Sequence, residues 1–76
     1  MNKFEFDFNK NLGKEVFVVG LDCEEIQQDY YIYYDLEEAK KQYNILNDNN
    51  KDSKWSYTLE KCVVRESELE PIEVIY

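Results

Sequence analysis

Apolar and polar residues alternate from the first ten positions. In residues 3–8, KFEFDF, Phe4, Phe6 and Phe8 share one side while Glu5 and Asp7 take the other. That is the period-two pattern of a half-buried strand. Residues 9–14, NKNLGK, are turn chemistry, with Asn9, Asn11 and Gly13 tolerant of unusual backbone angles. Residues 15–21, EVFVVGL, are β-branched or aromatic on both sides, which predicts a strand central to its sheet. Gly20 inside it suggests a bulge or a close backbone approach. A polar connection is expected over residues 22–28, DCEEIQQ, followed by a tyrosine-rich strand over 30–34.

At Asp35 the period changes. Leu36, Ala39, Tyr43 and Leu46 follow at spacings of three and four, the stripe of an amphipathic helix. Asp35 is placed to cap it, Glu38 completes a D-x-x-E box, and Glu37 and Glu38 suit the positive end of the helix dipole. Residues 47–50, NDNN, read as a polar stop. Residues 54–65, KWSYTLEKCVVR, form the longest strand candidate. Its apolar side switches from Trp55, Tyr57 and Leu59 to Cys62 and Val64. The strand is therefore either buried on both sides near its end or bulged at Glu60–Lys61. An acidic stretch, residues 66–71, leads to an edge strand over 72–76 with Pro71 at its start. The order is β-β-β-α-β-β. It predicts an α+β fold in one small domain spanning residues 1–76, with a mainly antiparallel sheet of four to five strands and one helix packed on one face. The joint at residues 29–46, where strand becomes helix, organises the rest.

Composition narrows the reading. Seventy-six residues make one domain with a small core, and aromatic residues at 16% give such a core more burial per residue. The net charge is −8, distributed as −5 over residues 1–35, +1 over 36–65 and −4 over 66–76. An acidic chain is a poor ligand for nucleic acid or an anionic membrane, and a good one for a basic protein. The N-terminus carries no apolar signal segment, and no run approaches a membrane span. The expected location is the cytoplasm, with two reduced cysteines.

Catalytic chemistry is sparse. The chain has no His, so His-based triads and the usual neutral-pH general base are absent. Ser53, Ser56, Ser67 and Thr58 have no recognisable base partner, and the two Gly are isolated rather than part of a phosphate-binding loop. The expectation is a protein that is not an enzyme and carries no cofactor. Cys23 and Cys62, with Asp22 or Glu24, raise a mixed zinc site if their strands are neighbours. The spacing lacks the paired CxxC of zinc domains, so the plainer reading is favoured, two small apolar residues of which one is packed and one partly exposed.

The charge pattern is the stronger lead. Glu66, Glu68 and Glu70 alternate, and in an extended chain they repeat at about 6.8 Å, on the scale of successive phosphates. Glu24, Glu25 and Asp29 form a second acidic cluster. The plainer reading is a solvated edge that resists aggregation. Trp55, with Tyr31 and Tyr33, is a candidate anchor on the sheet face away from the helix. A homodimer through that face is an alternative to a monomer.

The VFVV strand, the YYIYYD strand, the LEEAKKQY helix and the KWSYTLEKCVV strand together resemble small proteins of phages and mobile elements over residues 15–65. In size, acidity and Asn/Lys/Tyr/Ile bias the chain is similar to the acidic anti-CRISPR proteins. The resemblance implies an inhibitor that occupies a basic nucleic-acid surface of a CRISPR-Cas effector. It carries over no functional residue, because those proteins share no common motif. The competing expectation is a self-associating structural or regulatory module of a phage or mobile element.

Overall fold

Val16, Val18 and Val19 are buried on both sides of one strand, β1, Glu15–Cys23. Such a strand needs cover above and below, and the computed structural model, which describes residues 1–50 and 54–76, supplies both. Strand β2, Ile26–Tyr33, pairs antiparallel with one side of β1; β3, Trp55–Arg65, pairs antiparallel with the other. Strand β4, Glu68–Val74, adds outside β3, so the sheet order is β2-β1-β3-β4. The helix α1, Leu36–Asn49, links β2 to β3. The fold is α+β, with four antiparallel strands and one helix on the sheet, in the order β-β-α-β-β.

Register sorts the residues onto two faces, since paired residues lie on the same side of a sheet. The helix side gathers Val19, Leu59 and Ala39, with Phe17, Tyr33, Leu36, Tyr43, Leu46 and Ile75 around them. The helical stripe is the one the spacing predicts. Asp35 caps it, its Oδ1 accepting from the Glu37 N–H at 3.1 Å. The helix ends within the polar run, at Asn49, with Asn50 as its C-cap. Asn50 Nδ2 then donates to the Trp55 carbonyl at 2.8 Å, tying the helix end to the start of β3.

The second face gathers Val16, Val18, Ile32, Cys62, Val64 and Phe6, with Phe8, Tyr30 and Leu69 at its margin. Strand β3 alternates without interruption against β1, so the switch of its apolar side is burial on both faces. The irregularity lies instead in β4: Lys61 faces Glu73 and Cys62 faces Pro71, leaving Ile72 as the extra residue. Pro71 therefore sits inside the edge strand, beside its bulge, where a missing N–H disturbs no inner ladder. The edge strand begins at Glu68, not Ile72.

Two expectations are corrected here. Residues 3–8 form no strand; apart from one bridge between Asn2 and Tyr31, the segment is turns and irregular backbone. Phe6 is buried and Phe8 meets it edge-to-face at 5.1 Å, but Phe4 is 87% exposed. The segment is an arm laid across the second face. Its ends are fixed by backbone bonds from Ile32 N to Met1 O (2.7 Å) and from Gly13 N to Val64 O (2.8 Å), and the Asn11 amide donates to the Asp7 carbonyl at 2.7 Å. Alternation read as a strand because three Phe at period two also suit an arm that inserts one ring and leaves another out. Residues 22–28 are likewise not a connection. Strand continues on both sides of a two-residue turn at Glu24 and Glu25, whose φ angles are 52° and 71°, the doubly left-handed geometry of a tight hairpin. Gly20 marks a close approach, as expected: a Cβ there would lie 2.6 Å from Thr58 Oγ1 and 3.0 Å from Gln27 Nε2.

Candidate functional site

The acidic residues singled out by the sequence fall at opposite ends of the sheet. Glu24 and Glu25 are the exposed tip of the β1–β2 hairpin. Glu66 is in the β3–β4 turn, and Glu68 and Glu70 lie on β4. From Trp55, opposite Cys23, to Glu66 the chain runs eleven residues along β3, roughly 36 Å at the rise of a strand. The longest dimension of the molecule is 37 Å. The two clusters are separate sites.

The hairpin tip is not purely acidic. The Glu24 N–H donates to the Lys54 carbonyl at 2.8 Å, and Lys54 and Ser56 share a shallow hollow with both glutamates. Asp29 stands apart on β2, where its Oδ1 lies 3.6 Å from Lys3 Nζ and accepts from the Tyr30 N–H at 2.8 Å. Trp55 is half-buried at the start of β3. Its register places it, with Tyr31 and Tyr33, on the helix side, not on the face away from the helix. Burial pushes the Tyr33 hydroxyl pKa up, with Tyr31 and Glu38 adding to it.

The edge cluster is arranged differently from the pattern in the sequence. Glu66 leaves the row because it is in the turn. Glu68, Glu70 and Glu73 face Arg65, Val63 and Lys61 and so line one side of β4 together. The bulge at Ile72 brings Glu73 into phase, which strict alternation across Pro71 hides. Glu70 is neutralised by Arg65, Nε to Oε2 at 2.7 Å, and Lys61 is engaged by Glu15 at 3.2 Å. Beyond β4 no further strand pairs among the described residues, and every residue of β4 except Leu69 is exposed.

The cysteines do not meet. Their strands are neighbours, but Cys23 is opposite Trp55, seven residues along β3 from Cys62, roughly 23 Å. Both are free thiols. Cys62 is buried, and desolvation first, then the nearby Glu60 carboxylate, pushes its pKa up to about 11. It stays a protonated thiol, whereas a metal ligand must be a thiolate. Asp22 and Glu24 stand with Cys23 at the far end, and no group of three ligating side chains assembles among the described residues. Ser53 lies outside the described residues.

One concave feature was not signalled by any motif. On the second face, beside the Phe6 arm, a groove of about 410 Å³ is lined by Val18, Tyr30, Glu60, Cys62, Leu69 and Pro71, with Gln27, Ser67 and Glu68 at its rim. It draws on all four strands, which is why a linear reading misses it. No helix among the described residues is long and apolar enough to cross a membrane. No protein-family model, curated protein or solved structure matches the chain.

Proposed function

We propose that the protein is a non-catalytic, protein-binding inhibitor that uses carboxylates to occupy a basic nucleic-acid-binding surface, with a CRISPR-Cas effector nuclease as the candidate partner in the cell cytoplasm. One observation supports this reading above the others. Residues 66–76 carry four acids and no base, and they form the open edge of the sheet and its turn. Glu68 and Glu73 are exposed there on the hydrogen-bonded ladder of β4, and Glu66 is exposed in the turn before it. A carboxylate row held by a strand is pre-organised, so pairing it with Lys or Arg costs less ordering entropy than pairing a flexible acidic tail.

The test is nuclease cleavage by purified effectors with excess protein. Inhibition is expected, and a Glu66→Lys/Glu68→Lys/Glu73→Lys variant should weaken it by at least about tenfold, roughly 1.4 kcal/mol. Inhibition should also weaken as salt rises, since exposed charge pairs are screened. Cleavage that proceeds unchanged across the effectors counts against the proposal.

A self-associating module is the second reading. It is favoured by Ile72 and Val74, 48% and 72% exposed on the same open edge. A second copy pairing along β4 would cover them, although Pro71 and the bulge interrupt a continuous ladder. Light scattering separates the two: a monomer at micromolar concentration removes the second reading.

A further inference from the structure

We infer that the groove on the second face is a receptacle for a single arginine or lysine side chain of the partner. This rests on the inhibitor reading above and gives it a specific contact point, distinct from the carboxylate row of β4. The floor is Val18 on β1 and Glu60 and Cys62 on β3. Val18 and Glu60 are register partners, and Cys62 follows Glu60 on the same side of β3. One wall is Tyr30 on β2; the other is Leu69 and Pro71 on β4.

Charge selects the occupant. Of the two charged residues at the groove, Glu60 and Glu68, both acidic, register puts only Glu60 on the groove's side; Glu68 belongs with Glu70 and Glu73 to the row on the other face of β4. Each of the three ion pairs among the described residues is made elsewhere, and none uses Glu60. Lys61, its neighbour in sequence, is on the opposite face, paired with Glu15. Glu60 is thus a half-buried carboxylate over apolar ground with no cation paired to it among the described residues.

Shape and lining point the same way. A basic side chain has an apolar stem and a charged head, and its stem gains from lying along apolar walls. Val18, Leu69 and Pro71 supply such walls. The Tyr30 ring serves only as an apolar wall, because Lys3 Nζ already lies 5.5 Å from its centroid. An acidic or neutral apolar occupant would leave the Glu60 carboxylate desolvated and unpaired, which is costly.

The test uses the intact 76-residue protein and two capped tripeptides, Gly-Arg-Gly and Gly-citrulline-Gly, which differ chiefly in charge. Chemical shifts are followed by heteronuclear NMR. The arginine peptide is expected to move Val18, Tyr30, Cys62 and Leu69 together, the citrulline peptide to bind at least about tenfold more weakly, and Glu60→Gln to produce a similar loss. The conservative Glu60→Asp should keep part of the affinity. Shifts confined to Glu66, Glu68 and Glu73, or a response in Glu60→Gln equal to wild type, would overturn the inference. So would groove shifts that depend on protein concentration without peptide, which would assign the groove to a second copy. Failure here leaves inhibition of the effector and its loss on β4 charge reversal intact, so the two proposals fail separately.

Discussion

Cys62 links the core to the solution pH. Its thiol is nearly fully buried between Val16 and Pro71 in the ladder, and its pKa rises from 9.0 to about 11. Between those values the unfolded chain releases the proton and the native protein keeps it, so the native state is disfavoured as pH rises. Below pH 9 the contribution is complete; it is lost by about pH 11. A two-unit shift corresponds to on the order of 2–3 kcal/mol. Urea unfolding at pH 8 and pH 10.5 should show wild type losing more stability than Cys62→Ala. The comparison is needed because Tyr33, also shifted up, adds its own loss above pH 10. The identity of Cys62 as a packed residue was legible in the sequence, where it continued an apolar strand. Its distance from Cys23 was not, because only the antiparallel register of β1 and β3 decides which residues stand opposite.

The N-terminal arm is the element whose role changed most. Period-two Phe residues predict a strand, yet the backbone of residues 3–8 has no ladder partner beyond the Asn2 bridge. The second face of β1 needs apolar cover, and the one helix among the described residues is already committed to the first face. Phe6 meets that need. Phe6→Ala should therefore destabilise the fold by about 3–5 kcal/mol, as removal of a buried ring does. Phe4→Ala, at a ring left in solvent, should change it by less than about 0.5 kcal/mol. Equal effects in thermal or urea unfolding would mean that the strand reading was right after all. The helix and the strands β1 and β3 were legible within a few residues, since each carries its own period and its own ends. The hairpin at Glu24–Glu25 was not: two successive left-handed positions usually call for Asn and Gly, and two glutamates give no such signal.

At the scale of the whole molecule, charge bears on the stability of the fold itself. Seventeen acids against nine bases on a body 37 × 24 × 22 Å repel one another across the surface. The three ion pairs among the described residues are all partly exposed, and such pairs contribute little. Screening should thus relieve more repulsion than it removes attraction. The thermal midpoint should rise between 20 mM and 500 mM sodium chloride; a fall would mean that the ion pairs outweigh the net charge. The balanced helix and the two-sided core hold the body, while the open edge at β4 and the groove beside Glu60 face outward.

By itself the sequence determined the class of the fold, one helix on an antiparallel sheet, because hydrophobic period and helix caps are local properties of the chain. It also determined the acidity and the absence of histidine chemistry. Only the tertiary structure decided which acids stand together. Register separated Glu24 and Glu25 from Glu68 by the length of the sheet, and a bulge at Ile72 brought Glu73 into the row in place of Glu66. The groove around Glu60 likewise exists only once four strands, distant in sequence, are laid side by side. Pairing between strands is a long-range choice, made by the burial of both faces of β1 at once, and no local pattern encodes it.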